Sequence, residues 1–187
     1  KESYERMINL VTEAEDYLKR QSAFIQLNHN ENEKHLAEEK IKTIASVRKC
    51  VSLLRGQPVI AKLSTSPEHK AFASRPDVEF ISTRGPLTPD HVIQTKRTPV
   101  VLKQSPIVDI ITYSKEYKEY FQRNANGNLT CLDIAPRWAV WQGIGTLAFG
   151  STIKEAEVIS DIADHTILSI ERAEKLNQWQ ALPEKDI

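Results

Sequence analysis

Residues Gly143-Ile-Gly-Thr-Leu-Ala-Phe-Gly150, running directly into Ser151-Thr-Ile-Lys-Glu155, decide how this chain is read. A short apolar run bounded by glycines, followed by a polar turn and then a periodic apolar face, is the sequence form of a strand feeding a helix. Thr152 and Glu155 fit a capping box, in which the threonine hydroxyl takes the N3 amide and the glutamate reaches back to the N-cap amide. Beyond them Ile159, Ile162, Ala163, Thr166, Ile167, Ile170 and Ala173 recur on one face. This helix is expected to pack on a sheet. Gly143 and Gly145 mark a bulge or a close approach of backbone.

Working outward, the rhythm upstream is one of short apolar runs between turn residues and helices, which reads as α/β. Val59–Leu63, Val78–Ile81, Val100–Leu102, Leu129–Ile134 and Trp138–Trp141 read as strands. Ser66-Pro67 opens a short helix through Phe72, and Thr88-Pro89-Asp90 opens another, with Pro at N1 and an acid in the positive first turn. Val108–Phe121 is helical by its spacing, with Tyr113, Tyr117, Tyr120 and Phe121 on neighbouring turns, and Asn126-Gly127-Asn128 stops it. Nearer the start, Tyr4, Met7, Ile8, Val11, Ala14 and Leu18 form one amphipathic stripe. A polar stretch, Asn28–Glu33, separates it from a second periodic run ending at Gly56 and Pro58. The expectation is a mixed sheet of about five strands with helices on both faces, residues 57–187, preceded by a helical segment, residues 1–56.

The composition narrows the function classes. Twenty-five basic and 25 acidic residues give a formal net charge of zero across 187 residues, without the basic excess of a nucleic-acid binder. A domain of this length buries roughly 70% of its unfolded surface, enough for one core without staples. Cys50 and Cys131 show no CxxC pairing, so reduced thiols in a cytoplasmic protein are expected. No apolar run approaches the roughly 20 residues of a membrane span. The five histidines, His29, His35, His69, His91 and His165, offer no HExxH or HxH spacing. Gly143-Ile-Gly145 with Gly150 fails the GxGxxG spacing of a dinucleotide cradle, and no Tyr-x-x-x-Lys pair is present.

Lys1–Leu18, Thr88-Pro-Asp-His-Val-Ile-Gln-Thr-Lys96 with Pro99-Val-Val-Leu102, and Gly143–Leu176 together carry a resemblance. The chain resembles the region joining the two enzymes in bifunctional class II aldolase/short-chain dehydrogenase proteins, of the rhamnulose-phosphate aldolase and alcohol dehydrogenase kind. Lys1–Leu18 is similar to the terminal helix of a class II aldolase domain. Arg75-Pro-Asp-Val-Glu-Phe-Ile-Ser-Thr-Arg84 is similar to the aldolase strand that ends in His-x-His, the first two zinc ligands. Those places hold Ser82 and Arg84, and the place of the third imidazole, before Gly145, holds Ile144. An alkyl group cannot ligate zinc, and a permanently cationic guanidinium opposes a divalent ion.

The resemblance therefore implies a class II aldolase-like fold with the metal site lost, residues 57–187 being a degenerate copy. No catalytic residue and no metal or cofactor is expected in this chain. Zinc and NAD(P) belong, on this reading, to flanking aldolase and dehydrogenase domains, which are the expected partners together with a homo-oligomer interface. A noncatalytic linker or scaffold is the expected role. The alternative is that Arg84, His91 and Lys96, clustered near a helix N-terminus, form an anion-binding group that lends sugar-phosphate contacts to an active site of the whole protein.

Overall fold

A computed structural model describes residues 2–25, 38–125, 127 and 129–187. Asn28–Glu33, with His29 and His35, and the two asparagines flanking Gly127 lie outside the described residues. The elements in chain order are α1 (Glu2–Arg20), α2 (Glu38–Arg55), β1 (Ile60–Ser64), α3 (Pro67–Ala73), α4 (Val78–Ser82) and α5 (Pro89–Thr95). They continue with β2 (Val100–Leu102), α6 (Pro106–Asn124), β3 (Trp138–Trp141), β4 (Gly145–Gly150) and α7 (Ile153–Leu176), before a short 3₁₀ turn at Glu184–Asp186.

Four strands form one mixed sheet in the order β1-β4-β3-β2. The β3–β4 hairpin is antiparallel, with Ala139 opposite Leu147, β1 lies antiparallel to β4, and β2 runs parallel to β3. Strand alternation divides the core into two layers. Ala139, Trp141, Leu147 and Phe149 face Val47 and Val51 of α2 and Ile110 and Tyr113 of α6. Trp138, Val140 and Ala148 face Phe72 of α3, Val78 and Ile81 of α4 and Ile159, Ala163, Ile167 and Ile170 of α7. The chain is α/β with helices on both faces of the sheet.

Two of the six segments read as strands are not strands among the described residues, and the sheet has four strands where about five were expected. Val78–Ile81 is helix α4: Val78, Ile81 and Ser82 are buried while Phe80 is 64% exposed, which is the period of a helix. Bidentate contacts from Arg75 to Asp77 (2.9 Å each) tie the turn before it. Leu129–Ile134 has no regular structure, with Leu129 and Leu132 exposed. It is held by side chains and finds no neighbouring strand.

Gly143 and Gly145 make the β3–β4 turn, with no bulge. Gly145 has φ +150°, and a Cβ there would lie 2.1 Å from the Ser64 carbonyl oxygen. Thr152 caps α7 by accepting from the Glu155 amide (3.1 Å). Glu155 turns from the expected N-cap amide to the Ser151 amide (2.7 Å) and to Arg55, so the box is shifted by one residue. Gly56, at φ +73°, closes α2 with Gly56 N–H to Leu53 and Gln57 N–H to Ser52, the paired bonds of a Schellman end. α1 buries none of its residues, leaving Tyr4, Met7, Ile8 and Val11 exposed.

Candidate functional site

A cleft of about 380 Å³ opens along α6, between that helix, β2 and α4. One wall is a ladder of tyrosines placed at three- and four-residue spacing. Tyr113 and Tyr117 stack with centroids 6.3 Å apart and planes 8° apart, and Tyr120 follows at 6.0 Å. The Arg97 guanidinium lies 5.7 Å from the Tyr120 ring. Beneath the ladder Lys96 is buried, its ammonium 3.7 Å from the Tyr117 centroid and donating to the Asp133 carbonyl. Asp133 is in turn held by Arg137 through bonds of 2.8 and 2.6 Å.

Burial pushes the Lys96 ammonium down to about 7, with Arg137 adding to the shift and Asp133 opposing it. Burial also pushes the Tyr117 phenol up to about 12. For Asp133, burial works to raise the carboxyl, but the Arg137 bonds outweigh it and hold the group below the usual carboxylate range. Lys96 is one of two non-glycine residues with positive φ among the described residues, at +60° and ψ −174°, a backbone region that only glycine adopts freely.

Each of the three residues of the expected anion group has its own partner. Arg84 donates to Glu174 (2.6 Å) and to the carbonyl of Trp179, and it stacks on Phe80 at 4.4 Å. Glu174 also accepts from the Trp179 amide (2.7 Å), so the guanidinium and the carboxylate together clamp the segment after α7. His91, on α5, pairs through Nδ1 with the Thr88 hydroxyl (2.7 Å). Lys96 is sealed under Tyr117.

The family described as aldolase class II, second domain, matches residues 38–187. This chain belongs to that family. α1 lies ahead of the matched residues. Among curated proteins, it is similar to an uncharacterized oxidoreductase, YuxG, of Bacillus subtilis (strain 168), with 26% identity over 207 aligned positions. The match covers 98% of this chain, which spans 29% of the length of that relative. No solved structure matches.

The side chains at the three places where the resemblance puts zinc ligands do not fit the ion. Ser82 lies on α4, where the resemblance expects a strand, with its hydroxyl buried and unpartnered. Arg84 is engaged with Glu174, and Ile144 packs against the core from the β3–β4 turn. One hydroxyl, one guanidinium and one alkyl group make no zinc donor set. Among the described residues no group of three or more His, Cys, Asp or Glu could hold a metal. The glycines do not form a nucleotide cradle either. The spaces at Gly145 and Gly150 are filled by the backbone of Ser64 and Ala156.

Sequence reasoning missed a second cluster. Ser66, the N-cap of α3, lies 2.8 Å from His69 Nδ1, and His69 Nε2 lies 2.7 Å from Asp164 of α7. The Ser-x-x-His spacing carried half of this signal, but Asp164 is 95 residues from His69 and no local pattern links them. Ser66 also reaches Glu68 (2.7 Å), and the cluster ties α3 to α7 away from the cleft. The cleft itself was half legible, in the spacing of the tyrosines. The packing of Arg97 and Lys96 against them was not.

Proposed function

We propose that this domain is a noncatalytic scaffold within a longer cytoplasmic protein that joins a class II sugar-phosphate aldolase, of the rhamnulose-phosphate type, to a short-chain dehydrogenase. The observation that carries this reading is the Arg84 clamp. At a position where the resemblance places a metal-binding imidazole, a permanent cation pairs with Glu174 and with the Trp179 carbonyl. That side chain orders the segment following α7, the work of a spacer that fixes how one unit leaves another. A guanidinium in this setting repels a divalent ion and is already neutralised against a phosphate. Lys96, likewise paired internally, is unavailable to a neighbour's substrate. Zinc and NAD(P) then belong to other parts of the protein.

The test uses the longer protein with Arg84→Ala and His91→Ala. The scaffold reading expects aldolase and dehydrogenase rates per folded molecule to stay within about twofold of the parent, with stability lost in Arg84→Ala. A tenfold or larger fall in either rate with folding intact assigns these residues to an active site and defeats the scaffold reading. Metal analysis gives a second check, since one equivalent of zinc bound through neighbours of Ser82, Arg84 or Ile144 would overturn it.

A further inference from the structure

β2 is an edge strand, and its outer edge faces the cleft. Val100 and Leu102 turn their amides and carbonyls to β3, as the bond from the Gln142 amide to the Leu102 carbonyl (3.0 Å) requires in this parallel register. Alternation then turns the N–H and C=O of Val101, lying between them, to the open edge. The edge is short. Pro99 offers a carbonyl without a donor, and the Lys103 amide is taken by Asp109 (2.7 Å). Among the described residues, the cleft wall thus carries one backbone donor and two acceptors without a partner at strand spacing.

The shape and charge of the cleft say what complements that edge. Its α6 wall runs from Asp109 to Arg123, about 21 Å at 1.5 Å rise per residue. At about 3.4 Å per residue, a wall of that length matches about six residues of extended chain. The lining holds five carboxylates and three cations. Lys103 pairs with Glu79, and Arg97 and Arg123 share Glu184. Glu116 and Glu119 have no ion-pair partner among the described residues, and they leave the α6 wall negative. Arg97 Nε is also buried without a partner.

We propose that this cleft takes an extended peptide segment bearing lysine or arginine, which adds to the free edge of β2 as a fifth strand. Backbone bonds to Val101 supply the pairing, and Glu116 and Glu119 select the charge of the alternate side chains. The proposal stands on the β2 edge and the cleft, and does not depend on the scaffold reading.

The experiment titrates the full ¹⁵N-labelled chain with a heptapeptide of alternating valine and lysine. Two controls replace each lysine by glutamate or methylate the central backbone nitrogen. Saturable shifts centred on Val101 and Tyr117 are expected, with slowed hydrogen exchange at the Val101 amide and loss of both effects with either control. The double variant Glu116→Gln, Glu119→Gln, on the exposed face of α6, weakens binding roughly three- to tenfold while leaving the fold intact. Three results would overturn the proposal: no saturable shift at millimolar peptide, equal binding of either control, or protection of Val101 by self-association in the absence of peptide.

Discussion

The Lys96 ammonium lies against the face of Tyr117, 3.7 Å from the ring centroid, and is one of the most enclosed charges in the molecule, with its side chain 2% exposed. The aromatic face, the Asp133 carbonyl and the Asp133 carboxylate favour the charged form. Burial, reinforced by Arg137, outweighs them and pushes the group down to about 7. The folded chain therefore releases this proton more readily than the unfolded chain, in which Lys96 titrates near 10.5. Between those values the unfolded state binds the extra proton, so stability rises with pH, at no more than about 1.4 kcal/mol per unit. Urea unfolding from pH 6 to 9.5 is expected to show this rise, and Lys96→Met to flatten it. The window closes there because Tyr113 and Tyr117 are raised by burial, which reverses the slope once the unfolded tyrosines ionise.

Arg84→Ala is expected to release the segment after α7. Glu174 and Arg84 are each only 15% exposed, so removing one leaves the other partly buried and unpaired, at a cost of about 2–4 kcal/mol. Trp179, now 8% exposed, should shift its emission to the red, and limited proteolysis should cut beyond Leu176 well before the core. Unchanged emission would show that the hydrophobic contacts of Trp179 suffice without the clamp.

Glu155 joins the start of α7 to Arg55 at the end of α2. Burial raises its carboxyl, but the bonds from Ser151 and Arg55 prevail and hold the group down at about 2. A depressed carboxylate contributes stability above its unfolded value near 4.5, and that contribution fades as pH falls towards 2. Glu155→Gln should therefore cost about 2–3 kcal/mol at pH 7 and almost nothing at pH 2. Denaturant midpoints at the two pH values measure this difference.

Two glycines in the same hairpin are expected to behave differently. At Gly145→Ala the new methyl meets the Ser64 carbonyl oxygen at 2.1 Å on a backbone with φ +150°, so β1 and β4 must separate. A loss above about 3 kcal/mol is expected. At Gly143→Ala nothing lies within 4 Å, and only the positive φ of +71° opposes the side chain, at about 1 kcal/mol. Equal melting temperatures for the two variants would contradict the close approach.

The elements whose signals are local were legible. α7, with its cap and its apolar period, and the Gly56 stop of α2 could be read from neighbouring residues, because capping and helical periodicity act over a turn or two. Val78–Ile81 could not, since three apolar residues around Glu79 fit both a short strand and one turn of helix. Packing of Val78 and Ile81 beside α7 makes that choice. Leu129–Ile134 has strand-forming residues but no strand beside it, and a strand exists only where its backbone finds a partner.

The sequence by itself determined the α/β alternation, the charge balance and the presence of Ser82, Arg84 and Ile144 where the resemblance expects imidazoles, because each depends on residue identity or short-range order. Only the tertiary structure decided what these side chains do. The pairing of Arg84 with Glu174 spans 90 residues, and the enclosure of Lys96 depends on Tyr117 and Asp133 arriving from separate parts of the chain. The open edge of β2 follows from strand order, which side-chain pattern does not encode. Charge burial and strand pairing are properties of what surrounds a residue, and those surroundings exist only once distant segments have packed.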